Sequence, residues 1–184
     1  MGELILASSS PRRADLLRQI GISFRIVKSD FAEPKIIDEK QVEEVALAKA
    51  RSVGLRYPNE LVLGADTIVI CSGKVLGKPT DEQEARAMLQ LLSGKVHKVV
   101  TGVAFVKGGM ELTSREETLV WMREIEEVEI SEYAASDEPY DKAAYAIQGK
   151  GAIFVQKIEG CFFNVVGLPL FKVANILKGW NFSV

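Results

Sequence analysis

The chain has 184 residues, 47% of them hydrophobic and 26% charged, which is typical of one ordinary globular domain and excludes disordered and collagen-like chains. The 23 basic and 25 acidic side chains give a net charge of −2, so we expect no nucleic-acid partner. Its longest apolar runs fall short of the roughly 20 residues that a membrane span requires, and its first residues lack signal-peptide features. The sequence therefore predicts a cytoplasmic protein with no membrane partner.

The first predicted unit is a strand, a loop and a helix. Leu4 to Ala7 predicts the strand, and the apolar spacing after Pro11 predicts a helix that ends near Gly21. The loop from Ser8 to Arg13 combines three hydroxyls, two guanidinium groups and a helix N-terminus, an arrangement that favours phosphate binding. A capped surface helix with solvated arginines explains these residues equally well.

A buried carboxylate is predicted in the middle of the chain. Leu61 to Ile70 is apolar almost throughout, which predicts a central strand buried on both faces, and Asp66 lies within it. Such a carboxylate is unfavourable unless it is paired, hydrogen-bonded or bound to a metal. We therefore favour a functional Asp66 over a structural one. Lys49 lies on the apolar stripe of a helix predicted from Asp38 to Val53, and taken alone it favours an ammonium that reaches water.

The other elements alternate helices and strands. Thr80 and Gln83 match a capping box that opens a helix to about Leu92, and Gly108-Gly109 predicts a turn between two long antiparallel strands. The predicted class is α/β or α+β around a mixed sheet, in one domain spanning residues 1–184. The further predicted strands are 24–27, 96–106, 112–125, 152–158 and 162–166, and the further predicted helices are 131–135 and 169–177.

Several well-known catalytic signatures are absent from the sequence. It contains no Walker phosphate loop, no dinucleotide-binding glycine motif and no nucleophile elbow. His97 is the only histidine, which excludes histidine-rich metal sites, and we favour a structural role for it over that of a general base. Cys71 and Cys161 lie far apart, which predicts core thiols rather than a disulfide or a zinc site.

A series of short motifs runs in order along almost the whole chain. The motifs are Ser8-Ser9-Ser10-Pro11-Arg12-Arg13, Gly64-Ala65-Asp66-Thr67, Gly77-Lys78-Pro79, Ser93-Gly94-Lys95-Val96-His97, Thr101-Gly102-Val103, Asp141-Lys142-Ala143 through Gln148-Gly149, and Val166-Gly167-Leu168-Pro169. Together they closely resemble the Maf family of nucleotide pyrophosphatases. The resemblance implies a fold similar to that of inosine triphosphate pyrophosphatases, with a cleft between two lobes.

The chain departs from the family pattern in one place. The family commonly has a longer, glycine-bearing stretch between the lysine and the tyrosine, whereas Lys142-Ala143-Ala144-Tyr145 is compact. A glycine there would permit a positive φ angle.

The resemblance implies a reaction and a set of site residues. The reaction is hydrolysis of a nucleoside triphosphate between its α and β phosphates, with the help of a divalent cation, Mg²⁺ or Mn²⁺. Asp66 matches the residue assigned as proton acceptor. Because Mg²⁺ is often held by one or two carboxylates together with substrate phosphates, Glu33 is a candidate to share the metal with Asp66. The residues expected to hold the triphosphate are Ser8, Arg13, Lys49, Lys78 and Lys142.

Three further residues match the branch of the family that acts on dTTP and UTP. These are Arg12, Thr67 and Gln148. The amide of Gln148 offers both a donor and an acceptor to the O4 and N3–H edge that thymine and uracil share.

Three functions are compatible with these features. The first is a dTTP and UTP pyrophosphatase, with modified pyrimidines included, that serves nucleotide house-cleaning. The second is a non-catalytic nucleotide-binding regulator of cell division and septum formation. The third keeps the chemistry but acts on CTP or a purine triphosphate. The sequence is compatible with a homodimer but does not define the oligomeric state.

Overall fold

The computed structural model describes residues 3–32, 34, 38–140 and 142–182. The strands are β1 (Leu4–Ala7), β2 (Phe24–Ile26), β3 (Val62–Cys71), β4 (Lys74–Leu76), β5 (Val96–Lys107), β6 (Met110–Met122) and β7 (Val155–Glu159). The helices are α1 (Pro11–Gln19), α2 (Gln41–Gly54), α3 (Glu82–Leu92), α4 (Glu127–Ala134), α5 (Phe162–Val166) and α6 (Leu170–Gly179), and a 3-10 helix spans Lys150–Phe154.

The strands form one seven-stranded sheet in the order β2-β1-β3-β5-β6-β7, with β4 paired to β3. β1 is parallel to β2 and β3, and the remaining pairs are antiparallel. The predicted mixed α/β class is confirmed. Within the described residues, every helix is too short or too polar to span a lipid bilayer.

Helix α2 covers one face of the sheet, across β3 and β5, and two glycines set how closely it packs. A Cβ atom at Gly64 would lie 2.2 Å from the carbonyl oxygen of Ala46, and one at Gly102 would lie 2.6 Å from that of Val42. No side chain fits in either position, so the helix backbone rests directly on the strands. Gly102 is the register partner of Asp66, and Gly64 precedes Asp66 on the same face. The close approach of α2 is therefore centred on this carboxylate.

The opposite face of the sheet carries two hydrophobic cores that meet at a polar pair of residues. Leu63 and Ala65 of β3 pack with α1 and α6, whereas Val69 and Cys71 pack with α3 and α4. Between them, Thr67 of β3 faces Thr101 of β5 in register. The boundary between the two cores is thus polar, and it lies one residue from Asp66.

One edge of β3 is open at residues 65–68. β1 pairs with β3 at 62–64 and β4 pairs with it at 69–71, and no strand of the described chain joins this edge between them. β1 runs toward the opening from one end and leads into the Ser8–Arg13 loop. β4 runs toward it from the other end and leads into Gly77 and Lys78. Two of the predicted phosphate-binding segments therefore converge on the same opening.

The C-terminal part differs from the sequence prediction. The predicted strand at 162–166 is helix α5, and the predicted strand at 152–158 begins as the 3-10 helix, so that only Val155–Glu159 is extended. Aromatic and β-branched residues favour strands, but tertiary contacts override this preference. The side chain of Asn164 donates to the carbonyl of Val99 at 3.0 Å and to the hydroxyl of Thr118 at 2.9 Å, which holds α5 across β5 and β6.

Two helix starts were also placed wrongly from the sequence. The N-cap of α3 is Asp81, whose carboxylate accepts from the N–H of Glu84 at 2.8 Å, while Glu84 reaches back to Thr80. Helix α4 begins at Glu127, four residues before the predicted start, because Glu126 and Glu129 form a capping box. Asp81 and Glu126 act here in place of the Ser or Thr that a capping box usually carries.

We expect Gly64→Ala to lower the free energy of unfolding by at least about 2 kcal/mol, because the added Cβ forces α2 off the sheet. Gly179→Ala is the matched control, since it makes the same change where no atom lies within 4 Å, and it should be close to neutral. Urea unfolding of both variants measures the difference. Equal midpoints would contradict the direct contact between α2 and β3.

Candidate active site

Asp66 and Lys49 form a buried ion pair. β3 places the carboxylate and α2 places the ammonium, and Nζ of Lys49 lies 2.6 Å from Oδ1 of Asp66. Asp66 is 7% exposed and Lys49 6%. The ammonium does not extend into water, so the interpretation favoured for Lys49 alone is wrong. The prediction that Asp66 is a buried carboxylate needing a partner is confirmed, because each charge offsets the lost hydration of the other.

Arg13 is held in place from three sides. Its Nε donates to the carbonyl oxygen of Gly167 at 2.9 Å, Nη1 to the hydroxyl of Ser8 at 3.2 Å, and Nη2 to the hydroxyl of Thr67 at 3.1 Å. These three neutral acceptors fix the orientation of the guanidinium. Because α1 carries Arg13 beside the open edge of β3, the arrangement supplies an oriented, buried cation that suits phosphate oxygens.

Thr67 is itself held by the next strand. Its hydroxyl lies 2.9 Å from that of Thr101, which is fully buried and donates to the carbonyl oxygen of Asn164 at 3.0 Å. The chain of hydrogen bonds therefore runs from Arg13 through Thr67 and Thr101 to α5. It links the two hydrophobic cores across their polar boundary.

The remaining predicted residues lie outside these two hydrogen-bonded groups. Gln148 is exposed, and Lys142 is half-buried and donates to the carbonyl oxygen of Glu138. Arg12 is half-buried at the start of α1, and Lys78 is exposed just beyond β4. Glu33, the predicted second metal ligand, lies outside the described residues.

The structure thus groups Ser8 with Arg13 and Thr67, and Lys49 with Asp66. Lys142 shares a surface depression of about 510 Å³ with Glu138 and Lys150.

The compact stretch before Gln148 closes with two very tight turns. The N–H of Ala144 donates to the carbonyl oxygen of Lys142 at 3.1 Å, and that of Tyr145 to Ala143 at 2.9 Å. Each bond spans only three residues, as in a γ-turn. Ala144 takes a φ of +68° at the centre of the second turn, where glycine is the usual residue. An alanine therefore adopts a positive φ angle that glycine usually takes.

His97 lies away from Asp66 and has a structural role. It is 2% exposed, its Nε2 lies 2.8 Å from the hydroxyl of Tyr145, and the two rings meet edge to face. Burial lowers the pKa of His97 to about 4, and burial raises the pKa of Tyr145. The imidazole is neutral at pH 7 and supports the turn that precedes Gln148. The prediction of a structural histidine is confirmed.

The two cysteine thiols differ in burial. Cys71 is buried as predicted, and its Sγ contacts the carbonyl oxygen of Leu91 at 3.6 Å, whereas Cys161 is only half-buried because it lies at the start of α5. The prediction of a core thiol is therefore wrong for Cys161.

The donor set at the site fits a divalent cation that is shared with substrate. In the described part of the chain, no group of three or more His, Cys, Asp or Glu side chains converges as a metal cage. Asp66 supplies a single carboxylate beside segments suited to phosphate. Mg²⁺ is commonly held by one or two carboxylates together with substrate phosphates, so this sparse set is compatible with it.

Sequence reasoning missed Thr101 and Asn164 as parts of the site. Thr101 lies within a family motif, but the reason for a hydroxyl there is its pairing with Thr67, which requires the register of β3 and β5. Asn164 lies within a segment predicted as a strand, which concealed its position at the polar boundary.

Comparison with known proteins identifies a similar fold and the family of this chain. The structure of the Staphylococcus aureus Ham1 protein superposes with a TM-score of 0.57 over 96% of this chain and 98% of that one, at 12% sequence identity. This similarity concerns the fold alone and confirms the predicted one.

The sequence model of Maf-like proteins matches residues 3–180. The chain therefore belongs to the Maf-like protein family. A dTTP/UTP pyrophosphatase of Symbiobacterium thermophilum is 47% identical over 100% of this chain and 97% of its own length. Proteins of the same name from Pelotomaculum thermopropionicum and Bacillus cereus are 44% and 46% identical over 100% of this chain, and 100% and 98% of their own lengths.

The low pKa of His97 predicts a loss of stability in mild acid. In the unfolded chain His97 binds a proton with a pKa of 6.5, and in the folded chain with a pKa of about 4. The contribution of His97 to the free energy of unfolding is therefore complete above pH 6.5 and is lost as the pH falls to 4. We expect the free energy of unfolding to be about 2 kcal/mol lower at pH 5 than at pH 7.5 from this group. His97→Gln should lack this difference.

A direct measurement is the NMR titration of the single histidine ring, with a midpoint near pH 4. A midpoint near 6.5 would show that His97 is exposed to solvent.

Proposed function

We propose that this chain hydrolyses dTTP and UTP to the nucleoside monophosphate and pyrophosphate. The observation that carries the proposal is the Lys49–Asp66 pair, buried at the one stretch of β3 edge on which two predicted phosphate-binding segments converge. The full-length similarity to proteins named dTTP/UTP pyrophosphatase supports the same substrates. Nucleoside triphosphates are cytoplasmic metabolites, so we propose the cytoplasm as the site of action.

The triphosphate binds at the open edge of β3. Arg13 offers a guanidinium already oriented by Ser8, Thr67 and Gly167, so little side-chain entropy is lost when it meets a phosphate. Lys78 follows β4, which runs toward the same opening, and its exposed side chain adds a flexible cation. Dispersed cations of this kind do the work of a phosphate loop, which the sequence lacks.

Asp66 acts as the general base. Its carboxylate takes a proton from a water molecule while the water oxygen bonds to the α phosphorus. The bond between the α phosphorus and the oxygen that bridges to the β phosphate breaks. Pyrophosphate leaves with the bridging oxygen. The ammonium of Lys49 holds Oδ1 at 2.6 Å and so fixes the orientation of the carboxylate toward the phosphates.

Asp66, together with the substrate phosphates and with Glu33 as the predicted second carboxylate, is the group that would hold a divalent cation. Such a cation, Mg²⁺ or Mn²⁺, offsets the charge that develops on the phosphate oxygens. The cations of Arg13 and Lys49 supply part of the same stabilisation from the protein side.

Recognition of the base depends on Arg12, Thr67 and Gln148. Thr67 lies at the polar core boundary, where its hydroxyl binds both Arg13 and Thr101, so the hydroxyl is fixed before substrate binds. Gln148 is exposed, which leaves its amide available to accept from N3–H and donate to O4 of uracil or thymine.

Asp66→Asn should strongly reduce pyrophosphate release by protein that circular dichroism shows to be folded. The amide oxygen can still accept from Lys49, but it cannot take a proton, so we expect kcat for dTTP and UTP to fall by about 10² to 10⁴. The measurement is turnover of a panel of triphosphates with Mg²⁺, Mn²⁺ or a chelator, resolving pyrophosphate from phosphate.

Asp15→Asn is the matched control for that experiment, because it makes the same change on an exposed face of α1. Absence of turnover by folded wild-type protein would instead favour the non-catalytic regulator. Full activity of Asp66→Asn would exclude Asp66 as the base.

Gln148→Glu should shift the choice of base. A carboxylate has no N–H to donate to O4 of uracil, but it accepts from the amino group of cytosine. We expect the ratio of kcat/KM for UTP over CTP to fall by about tenfold, the effect of one mispaired hydrogen bond. Gln156→Glu introduces the same charge at an exposed position of β7 and should leave the ratio unchanged. An unchanged ratio in Gln148→Glu would remove this residue from base recognition.

A further inference from the structure

The main chain on both sides of Gln148 is tied to one side chain. Two residues after Gln148, the N–H of Lys150 donates to both carboxylate oxygens of Glu138, at 3.0 and 3.1 Å. Two residues before it, the N–H of Ala146 donates to the hydroxyl of Tyr133 at 2.9 Å. That hydroxyl in turn donates to Glu138 at 3.0 Å. Both ties therefore end on the same carboxylate.

The carboxylate also packs directly against the peptide that follows Gln148. A Cβ atom at Gly149 would lie 2.5 Å from Oε2 of Glu138, so a side chain there would displace the carboxylate from its hydrogen bonds. The main chain of segment 146–150 is thus fixed in position, although the side chain of Gln148 is exposed.

The support extends into the hydrophobic core. Tyr133 is 5% exposed and its ring meets that of Phe154 edge to face at 5.3 Å. Helix α4 therefore transmits the rigidity of the core to the turn that carries Gln148. Glu138 alone, in a half-exposed loop, would not be fixed in this way.

The ties are strengthened by charge. Burial alone raises the pKa of Glu138, but the hydrogen bonds from the Lys150 N–H and the Tyr133 hydroxyl, with the positive charge of Lys142, bring it below its ordinary value. The carboxylate is ionised at neutral pH, and hydrogen bonds to an ionised acceptor are stronger than neutral ones. The carbonyl of the same residue accepts from the ammonium of Lys142.

We propose that Glu138, acting with Tyr133, is a positioning residue for base recognition that holds the Gln148 amide where it meets the pyrimidine ring. The inference rests on the proposed function, in which Gln148 contacts the base. A fixed main chain lets the amide form its two hydrogen bonds without first ordering the turn, so the preference for uracil depends on Glu138 although Glu138 does not touch the base.

The test compares Glu138→Gln and Tyr133→Phe with two matched controls. Glu132→Gln makes the same change at an exposed position of α4, and Tyr140→Phe removes a hydroxyl that bonds to Ala134 rather than to the turn. Hydrogen–deuterium exchange of residues 146–151 in the free protein measures the ties directly. Values of kcat/KM for UTP and CTP measure their effect on the choice of base.

We expect faster exchange of residues 146–151 in both test variants, with β5 and β6 unchanged. We also expect the UTP over CTP ratio to fall by about tenfold, mainly through KM for UTP, which is the size of one hydrogen bond to a charged group. Both controls should behave as wild type. A merely structural role would lower activity toward both nucleotides equally.

Two results would overturn the inference. Exchange at 146–151 that does not change in Glu138→Gln would show that the carboxylate does not hold the turn. Faster exchange with an unchanged UTP over CTP ratio would show that holding the turn does not matter for the base. Wild-type protein with no preference for UTP, but with the expected change in exchange, would instead reject the proposed function while leaving the structural tie in place.

Discussion

The arrangement of the site depends on how closely helix α2 approaches the sheet. The approach is possible because Gly64 and Gly102 leave no side chain between helix and strands, and it brings Lys49 to within 2.6 Å of Asp66. A carboxylate in the middle of a buried strand would otherwise be strongly destabilising. The ion pair offsets part of that penalty and at the same time fixes the orientation of the carboxylate. The stability of the central strand and the proposed role of Asp66 as a base therefore have the same physical origin.

On the opposite face of the sheet, neutral groups form hydrogen bonds to the buried guanidinium of Arg13. Two hydrophobic cores meet there, and the boundary between them is occupied by Thr67 and Thr101. The hydroxyls bind each other, Arg13 and the carbonyl of Asn164, so the buried guanidinium has hydrogen-bond acceptors. The cost of burying a cation is thus shared by several neutral dipoles. The same hydrogen bonds fix the direction of the guanidinium before any ligand binds.

The features that were predicted correctly are those that local sequence patterns encode. The uninterrupted apolar run of β3 defined the central strand, and a single charge within it identified Asp66. The pairing of Thr101 with Thr67 spans 34 positions and depends on strand register, which no local pattern encodes. The same limit explains the error at 162–166, where the composition favours a strand. The long-range hydrogen bonds of Asn164 decide for a helix.

The turn at Lys142–Tyr145 shows how a local departure from the family pattern is absorbed. Two consecutive γ-turns shorten the connection, and the left-handed φ of Ala144 costs roughly 1–2 kcal/mol. Burial of its methyl group in the core returns roughly 0.8 kcal/mol, and Tyr145, the next residue, gains its contact with His97. The strain is therefore partly offset by packing beneath the turn. His97 holds Tyr145 and Glu138 holds segment 146–150, so Gln148 emerges from a rigid base even though the stretch before it lacks glycine.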